Sequence, residues 1–268
     1  MKIGFIQFAP VLGNLQSTIR KIDRLSSLCT TADILVLPEL CNSGYNFNSY
    51  EHAWETSEEI EGSTFVRYLE SICARHNLYI VSGFNERDSN SLYNSAILVG
   101  PKGYIGKYRK LHLFMKEKDY FKAGNIGLPI FDIGLCKLGV LVCFDWLFPE
   151  VWRILALKGV DIICHPSNLI IPGLAQRTIP VHALTNRVYI VTANRIGTEG
   201  DLLFTGLSTI ANPKGDILVQ ASQSKEEVGI TDMDVGLSRD KMITPRNDIF
   251  SDRRPEEYSF LSESREPT

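Results

Sequence analysis

The stretch that most constrains this chain runs from Lys137 to Glu150. A β-branched apolar run, Val140 to Val142, stops at Cys143, and Pro149 with Glu150 opens a segment to Lys158 whose apolar residues recur at helical spacing. The pattern predicts a buried strand, a tight turn and a helix start, with a thiol at the strand's carboxyl end. In open α/β sheets this edge is where ligands bind. A helix N-terminus close behind would favour the thiolate through its macrodipole and unpaired amides. The same pattern also suits an inert core residue, because cysteine is among the most buried residue types. A chemical role for Cys143 therefore requires partners.

The 268 residues are 44% hydrophobic and 22% charged, enough to build a sizeable core, and one domain over 1–268 is expected. The net charge of −3 comes from interspersed acids and bases, which predicts no nucleic-acid partner and no membrane surface. The apolar start of the chain is too short for a signal peptide, and no stretch approaches a membrane span. The cysteines at 29, 41, 73, 136, 143 and 164 form no CxxC pair, so neither a disulfide scaffold nor a zinc ribbon is expected. A cytoplasmic protein with free thiols and no metal or cofactor is the reading.

Lys2 to Ala9 reads as a strand, Asn14 as the cap of a helix through Cys29, and Asp33 to Leu37 as a second, fully apolar strand. This β-α-β unit implies parallel strands. Phe65 to Arg75 is helical by spacing and Leu78 to Phe84 extended, while Leu92 to Val99 and Tyr104 to Tyr108 form a hairpin around Pro101-Lys102. Lys110 to Leu128 is a long loop carrying Phe114, Tyr120 and Phe121. A second β-α-β unit spans Lys137 to His165. Pro180 to Arg187 suggests a helix, Val188 to Ala193 a strand, Phe204 to Asp234 short strands, and the residues after Gly236 a short helix. Residues 251–268 form a polar tail that wraps a partner surface or frays. No repeat is evident. The strands outnumber what one parallel sheet needs, so the expected fold is α/β, with two mixed β-sheets packed face to face and covered outside by helices in an α-β-β-α sandwich.

Glu39 directly follows the strand Leu35 to Leu37, and Lys110 leaves another strand to enter the long loop. Singly, Glu39 suits a solvated turn and Lys110 an exposed basic pair with Arg109. Together with Cys143 they suit chemistry. A carboxylate raised by burial accepts the thiol proton, and a fixed ammonium stabilises the oxyanion formed on attack at a carbonyl or nitrile carbon. Cys164, which also ends a strand, is the rival nucleophile, while His112 and His165 read as hydrogen-bonded structural residues.

The blocks Leu-Pro-Glu-Leu at 37–40, Tyr-Arg-Lys-Leu-His-Leu at 108–113 and Cys-Phe-Asp-Trp-Leu-Phe-Pro-Glu at 143–150 resemble the three signature blocks of the carbon–nitrogen hydrolase (nitrilase) superfamily. The resemblance covers nearly the whole chain. It implies the same α-β-β-α sandwich, commonly paired into a homodimer. It also implies Glu39 as general base, Lys110 as oxyanion-stabilising cation, Cys143 as nucleophile and Glu117 as a second glutamate that holds the site. Glu117 also suits simple pairing with the flanking Lys116 and Lys118. The Phe144 amide is expected to complete the oxyanion site, and Tyr45, Trp146 and Asn168 to line the substrate pocket.

The implied reaction is hydrolysis of a small amide through a thioester on Cys143, giving a carboxylic acid and ammonia. Nitrile-cleaving relatives usually carry Trp-Glu after the cysteine, whereas this chain has Phe144-Asp145, so an amide is favoured over a nitrile. A retired, metabolite-binding domain is the reading from another class. The stretch Asp145 to Phe148 offers no cation, which predicts short neutral amides over carboxylate-bearing ones unless Arg177 or Arg195 reaches the pocket.

Overall fold

The computed structural model describes residues 1–263. Its elements in order are β1 (Lys2–Gln7), α1 (Leu15–Ser26), β2 (Ile34–Val36), α2 (Tyr50–Glu55), α3 (Thr64–His76), β3 (Tyr79–Asp88), β4 (Ser91–Gly100), β5 (Gly103–Arg109), α4 (Glu117–Tyr120), β6 (Ile130–Asp132) and β7 (Lys137–Val140). After a 3-10 turn over Cys143–Leu147 come α5 (Pro149–Leu157), β8 (Ile162–Ser167), α6 (Leu174–Asn186), β9 (Tyr189–Asn194), β10 (Thr198–Glu199), β11 (Leu202–Leu203), β12 (Thr209–Ala211), β13 (Ile217–Gln220), β14 (Glu227–Asp232) and α7 (Val235–Arg239). A two-stranded ribbon, Met242–Thr244 with Asn247–Asp248, and two 3-10 turns follow.

Two six-stranded sheets carry the fold, in the orders β14-β1-β2-β3-β4-β5 and β13-β12-β9-β8-β7-β6. Read outward from β14 and from β6, both show the same succession of pairings: antiparallel, parallel, parallel, antiparallel, antiparallel. The two halves are thus alike in topology although no sequence repeat marks them. Burial on both faces explains why β2, central among the parallel strands of its sheet, is apolar throughout. On β2, Ile34 and Val36 face the second sheet, while Leu35 and Leu37 join Ile22, Leu25, Phe65, Leu69 and Ile72 of α1 and α3 on the outside. Trp152 and Leu155 of α5 and Ile179 and Ala183 of α6 cover the other sheet. The architecture is the expected α-β-β-α sandwich.

Several boundaries differ from the sequence expectation. The helix read from Pro180 begins six residues earlier, at Leu174, and carries Pro180 inside it. Proline's missing N–H and fixed φ are tolerated there because tertiary packing of Ala175, Ile179 and Ala183 outweighs the lost bond. The loop after Lys110 contains one helical turn, α4, and β3 runs on to Asp88 by pairing along its length with β4. From Ser251 the described tail is almost wholly exposed, with 3-10 turns at Pro255–Glu257 and Ser259–Ser262. Residues 264–268 of the expected tail lie outside the described residues.

Candidate active site

Both sheets deliver polar residues to the same edge. Glu39 follows β2, Lys110 follows β5, Cys143 follows β7 and Asn168 follows β8. Lys110 and Glu39 are wholly buried, Cys143 and Glu117 nearly so. Lys110 Nζ donates to Glu39 Oε1 at 2.7 Å and to Glu117 Oε1 at 2.8 Å. One ammonium thus holds two carboxylates. The solvated-turn and exposed-base readings of Glu39 and Lys110 are overturned, and Glu117 pairs with Lys110 rather than with the flanking lysines.

Asn94 on β4 completes this cluster. Its Nδ2 donates to Glu39 Oε1 at 2.8 Å and to Glu117 Oε2 at 3.3 Å, and its carbonyl receives the Lys110 backbone N–H at 2.8 Å. Tyr45 donates its hydroxyl to Glu117 Oε1 at 2.7 Å. Glu39 Oε2 is buried with no hydrogen-bond partner among the described residues. Burial raises the Glu39 carboxyl against the opposing pull of Lys110. Lys110 is held strongly protonated by Glu117 and Glu39 despite its own burial.

Cys143 sits at φ 43°, a left-handed conformation that costs a non-glycine residue on the order of 1–3 kcal/mol. Asp145 is the main reason the turn holds. Its Oδ2 accepts from Val142 N at 2.9 Å and from the Tyr108 hydroxyl at 2.8 Å; its Oδ1 accepts from His112 Nδ1 at 2.7 Å. Trp152 Nε1 donates to the Asp145 carbonyl at 3.0 Å, and His165 Nε2 to the Cys143 carbonyl at 2.9 Å. His112 and His165 are therefore structural donors, as expected. Cys143 opens a five-residue 3-10 turn and α5 starts at Pro149, the expected order of strand, tight turn and helix start. The thiol itself differs from expectation. Burial, and next the Glu39 charge, push the thiol up rather than down, so it rests protonated. The Asn168 backbone N–H favours the thiolate locally. Cys164 is wholly buried, raised by desolvation, and lies in the core between the sheets.

Cys143, Phe144, Trp146 and Asn168 line one hollow, closed by Phe114, Leu169 and Ile170. Asn168 also donates its side-chain amide to the Glu39 carbonyl at 3.0 Å. Phe114 and Ile170 are shared with a second hollow of about 70 Å³, walled by Tyr45, Phe47, Glu117, Tyr120 and Leu202. Of the residues expected there, Phe144, Trp146 and Asn168 lie in the inner hollow and Tyr45 in the outer one. The missing cation is neither arginine: Arg177 is exposed away from both hollows, and buried Arg195 pairs with Glu199 at 2.6 Å. Lys116 lines the outer hollow instead. Asn94 was missed, although the polar pair Asn94-Ser95 interrupting the apolar run from Leu92 to Val99 was a signal. Asp145 was also missed as the hub of the turn.

Taken together, the sandwich and its edge cluster define an α/β protein with a buried cysteine beside a lysine and two glutamates. The comparisons with known proteins make this specific. The family model for carbon-nitrogen hydrolases matches residues 2–241, and the chain belongs to that family, the nitrilase superfamily. A nitrilase of Pyrococcus abyssi is 45% identical over 97% of this chain and 99% of its own length. A citrullinase of Francisella tularensis is 30% identical over 86% of each. Among solved structures, a carbon-nitrogen hydrolase from Helicobacter pylori G27 superposes with a TM-score of 0.87 at 23% identity over 98% of both chains. An amidase from Nesterenkonia sp. gives 0.80 at 23% identity over 97% of this chain and 96% of its own.

Proposed function

We propose that the protein hydrolyses the carbon–nitrogen bond of a small amide through a thioester on Cys143. The observation that carries this is Glu39. One of its oxygens is fixed by Lys110 and Asn94; the other is buried and unpartnered. That oxygen is free to take the thiol proton, and burial has raised the carboxyl's proton affinity toward that of a working base. Cys143 attacks the amide carbon as Glu39 takes its proton. Lys110 and the Phe144 amide hold the oxyanion. Collapse expels ammonia, protonated by Glu39, and leaves the thioester. Glu39 then deprotonates water, which attacks the acyl carbon and releases the acid and the thiol. Glu117, tied to Lys110 and Tyr45, keeps the ammonium in place. Trp146 and Asn168 flank the acyl group.

A nitrile is the second reading, favoured by the Pyrococcus abyssi relative's description. There the thiol adds to the nitrile carbon to give a thioimidate, and two waters are consumed in reaching the acid. An ammonia-release screen over amides, carbamoyl compounds and nitriles separates the two. Amides should turn over at least about tenfold better in kcat/KM, a margin of about 1.4 kcal/mol. Nitriles preferred by that margin would select the second reading, and no release from either would reject both.

The catalytic domain is read as the whole chain, 1–268, with 251–268 as an appended tail. No helix among the described residues is long and apolar enough to cross a membrane. The free cysteines suit a reducing, cytoplasmic compartment. Exposed Ile154 and Leu157 on α5 and Val181 and Leu184 on α6 suit pairing of two copies.

A further inference from the structure

The outer hollow ends in two charges that the proposed reaction leaves unused, Lys116 and Asp201. Asp201 stands at the tip of the β10-β11 turn, and its position is built rather than incidental. Asn46 Nδ2 donates to Asp201 Oδ1 at 3.0 Å and to the Glu199 carbonyl at 2.8 Å. The backbone N–H groups of Tyr45 and Asn46 both donate to Glu199 Oε2, at 2.8 and 2.6 Å. Glu199 Oε1 is gripped by buried Arg195, whose guanidinium lies 4.4 Å from the Phe204 ring centroid. Phe204 in turn packs edge-on against Tyr45. An exposed carboxylate is thus the last link of a chain rooted in a buried ion pair. The same chain fixes Tyr45 at the catalytic cluster.

Lys116 immediately precedes Glu117, so its backbone is fixed by the turn that brings Glu117 to Lys110. It feels Asp201 electrostatically, and its charge helps hold the Asp201 carboxyl low, after the larger effect of the Asn46 hydrogen bond. The two side chains nevertheless form no ion pair among the described residues. Two opposite charges thus line one rim without pairing, above a wall of Phe114, Tyr120, Ile170 and Leu202.

We propose that this rim is a head-group site for an amino-acid zwitterion, with Asp201 taking the ammonium and Lys116 the carboxylate. The substrate class is then an α-amino acid whose side chain ends in an amide or ureido carbon, directed down the apolar wall toward Cys143. This rests on the proposed hydrolysis but goes beyond it, because the reaction itself needs neither charge. Each contact is a charge-assisted hydrogen bond, and losing one from a bound zwitterion should cost about tenfold in affinity or more.

The test compares chain-matched amides carrying a neutral, an ω-carboxylate, an ω-ammonium or an α-amino-acid end, with L-glutamine and L-citrulline as zwitterionic probes. The zwitterionic end should give the highest kcat/KM. Asp201→Asn should lower the zwitterion-to-neutral ratio about tenfold, and Lys116→Gln should do the same, while Asp201→Asn spares the ω-carboxylate ratio. A flat ranking, or variants that lower every amide equally, overturns the head-group site and leaves the hydrolysis standing. Calorimetry of the same probes with Cys143→Ala decides the site even without turnover. Zwitterion binding weakened by Asp201→Asn supports it, and binding that does not distinguish the four ends overturns it.

Discussion

Asn94 shows how much of the site rests on a residue with no reactive chemistry. Its single amide nitrogen reaches both carboxylates, and its own carbonyl anchors the Lys110 backbone. Two buried carboxylates would repel each other, and the shared Lys110 and Asn94 donors are what allow them to approach. Asn94→Ala removes one of these donors and leaves Glu39 Oε1 to Lys110 alone. The expected result is a fall in kcat of about 10- to 100-fold with KM little changed, by analogy with outer partners of metal sites. Steady-state kinetics beside an unfolding curve checks this, and a loss fully explained by unfolding would contradict it. Glu39, Lys110 and Cys143 were legible because each ends a recognisable strand and falls in a signature block. Asn94 was not, because a mid-strand residue's face depends on the register of β4 against β3 and β5, which sequence alone does not fix.

At the scale of elements, the site depends on how closely strands approach. Gly83 on β3 lies under the Glu39 turn, where an added Cβ would fall 2.3 Å from Glu39 Cα and 2.4 Å from Leu40 N. Its N–H also donates to the Pro38 carbonyl at 3.0 Å. Gly83→Ala must therefore displace the Glu39 segment, and overpacking of this kind costs roughly 1–3 kcal/mol. The variant should lose both stability and kcat, read by thermal unfolding and by turnover at a temperature where it stays folded. Wild-type turnover would show that Glu39 does not need its place. The strand-turn-helix order around Cys143 was legible from apolar spacing. The 3-10 form of the tight turn was not, because it is imposed by hydrogen bonds that Asp145 accepts from Val142 and from the distant Tyr108 and His112. The start of α6 was hidden for a related reason: Pro180 signals a helix beginning only when packing does not carry the helix through it.

For the whole molecule, His165 joins the second sheet to its helical cover, packing on Trp152 of α5 and bonding Thr192 of β9. Its Nε2 ties β8 to the Cys143 carbonyl, and burial pushes it down from 6.5 to about 4, so it is neutral in the fold. The unfolded chain then binds the extra proton first as pH falls. Stability from this residue is full above pH 6.5, is lost between 6.5 and about 4, and loses nothing further below that. The contribution is on the order of 3 kcal/mol. Melting temperature should therefore fall across this window more steeply in the wild type than in His165→Gln. Parallel pH profiles would contradict it. The sandwich itself was legible from the surplus of strands and paired β-α-β units, but the matched topology of the halves was not, since only pairing reveals it.

In the proposed reaction Cys143 carries the acyl group. Rapid acid quench during turnover of a small amide, followed by peptide mass spectrometry, tests it most directly. The acyl mass is expected on the peptide containing Cys143, with no adduct in Cys143→Ala and full labelling of Cys143 in Cys164→Ala. An adduct on Cys164, or steady turnover by Cys143→Ala, would contradict it.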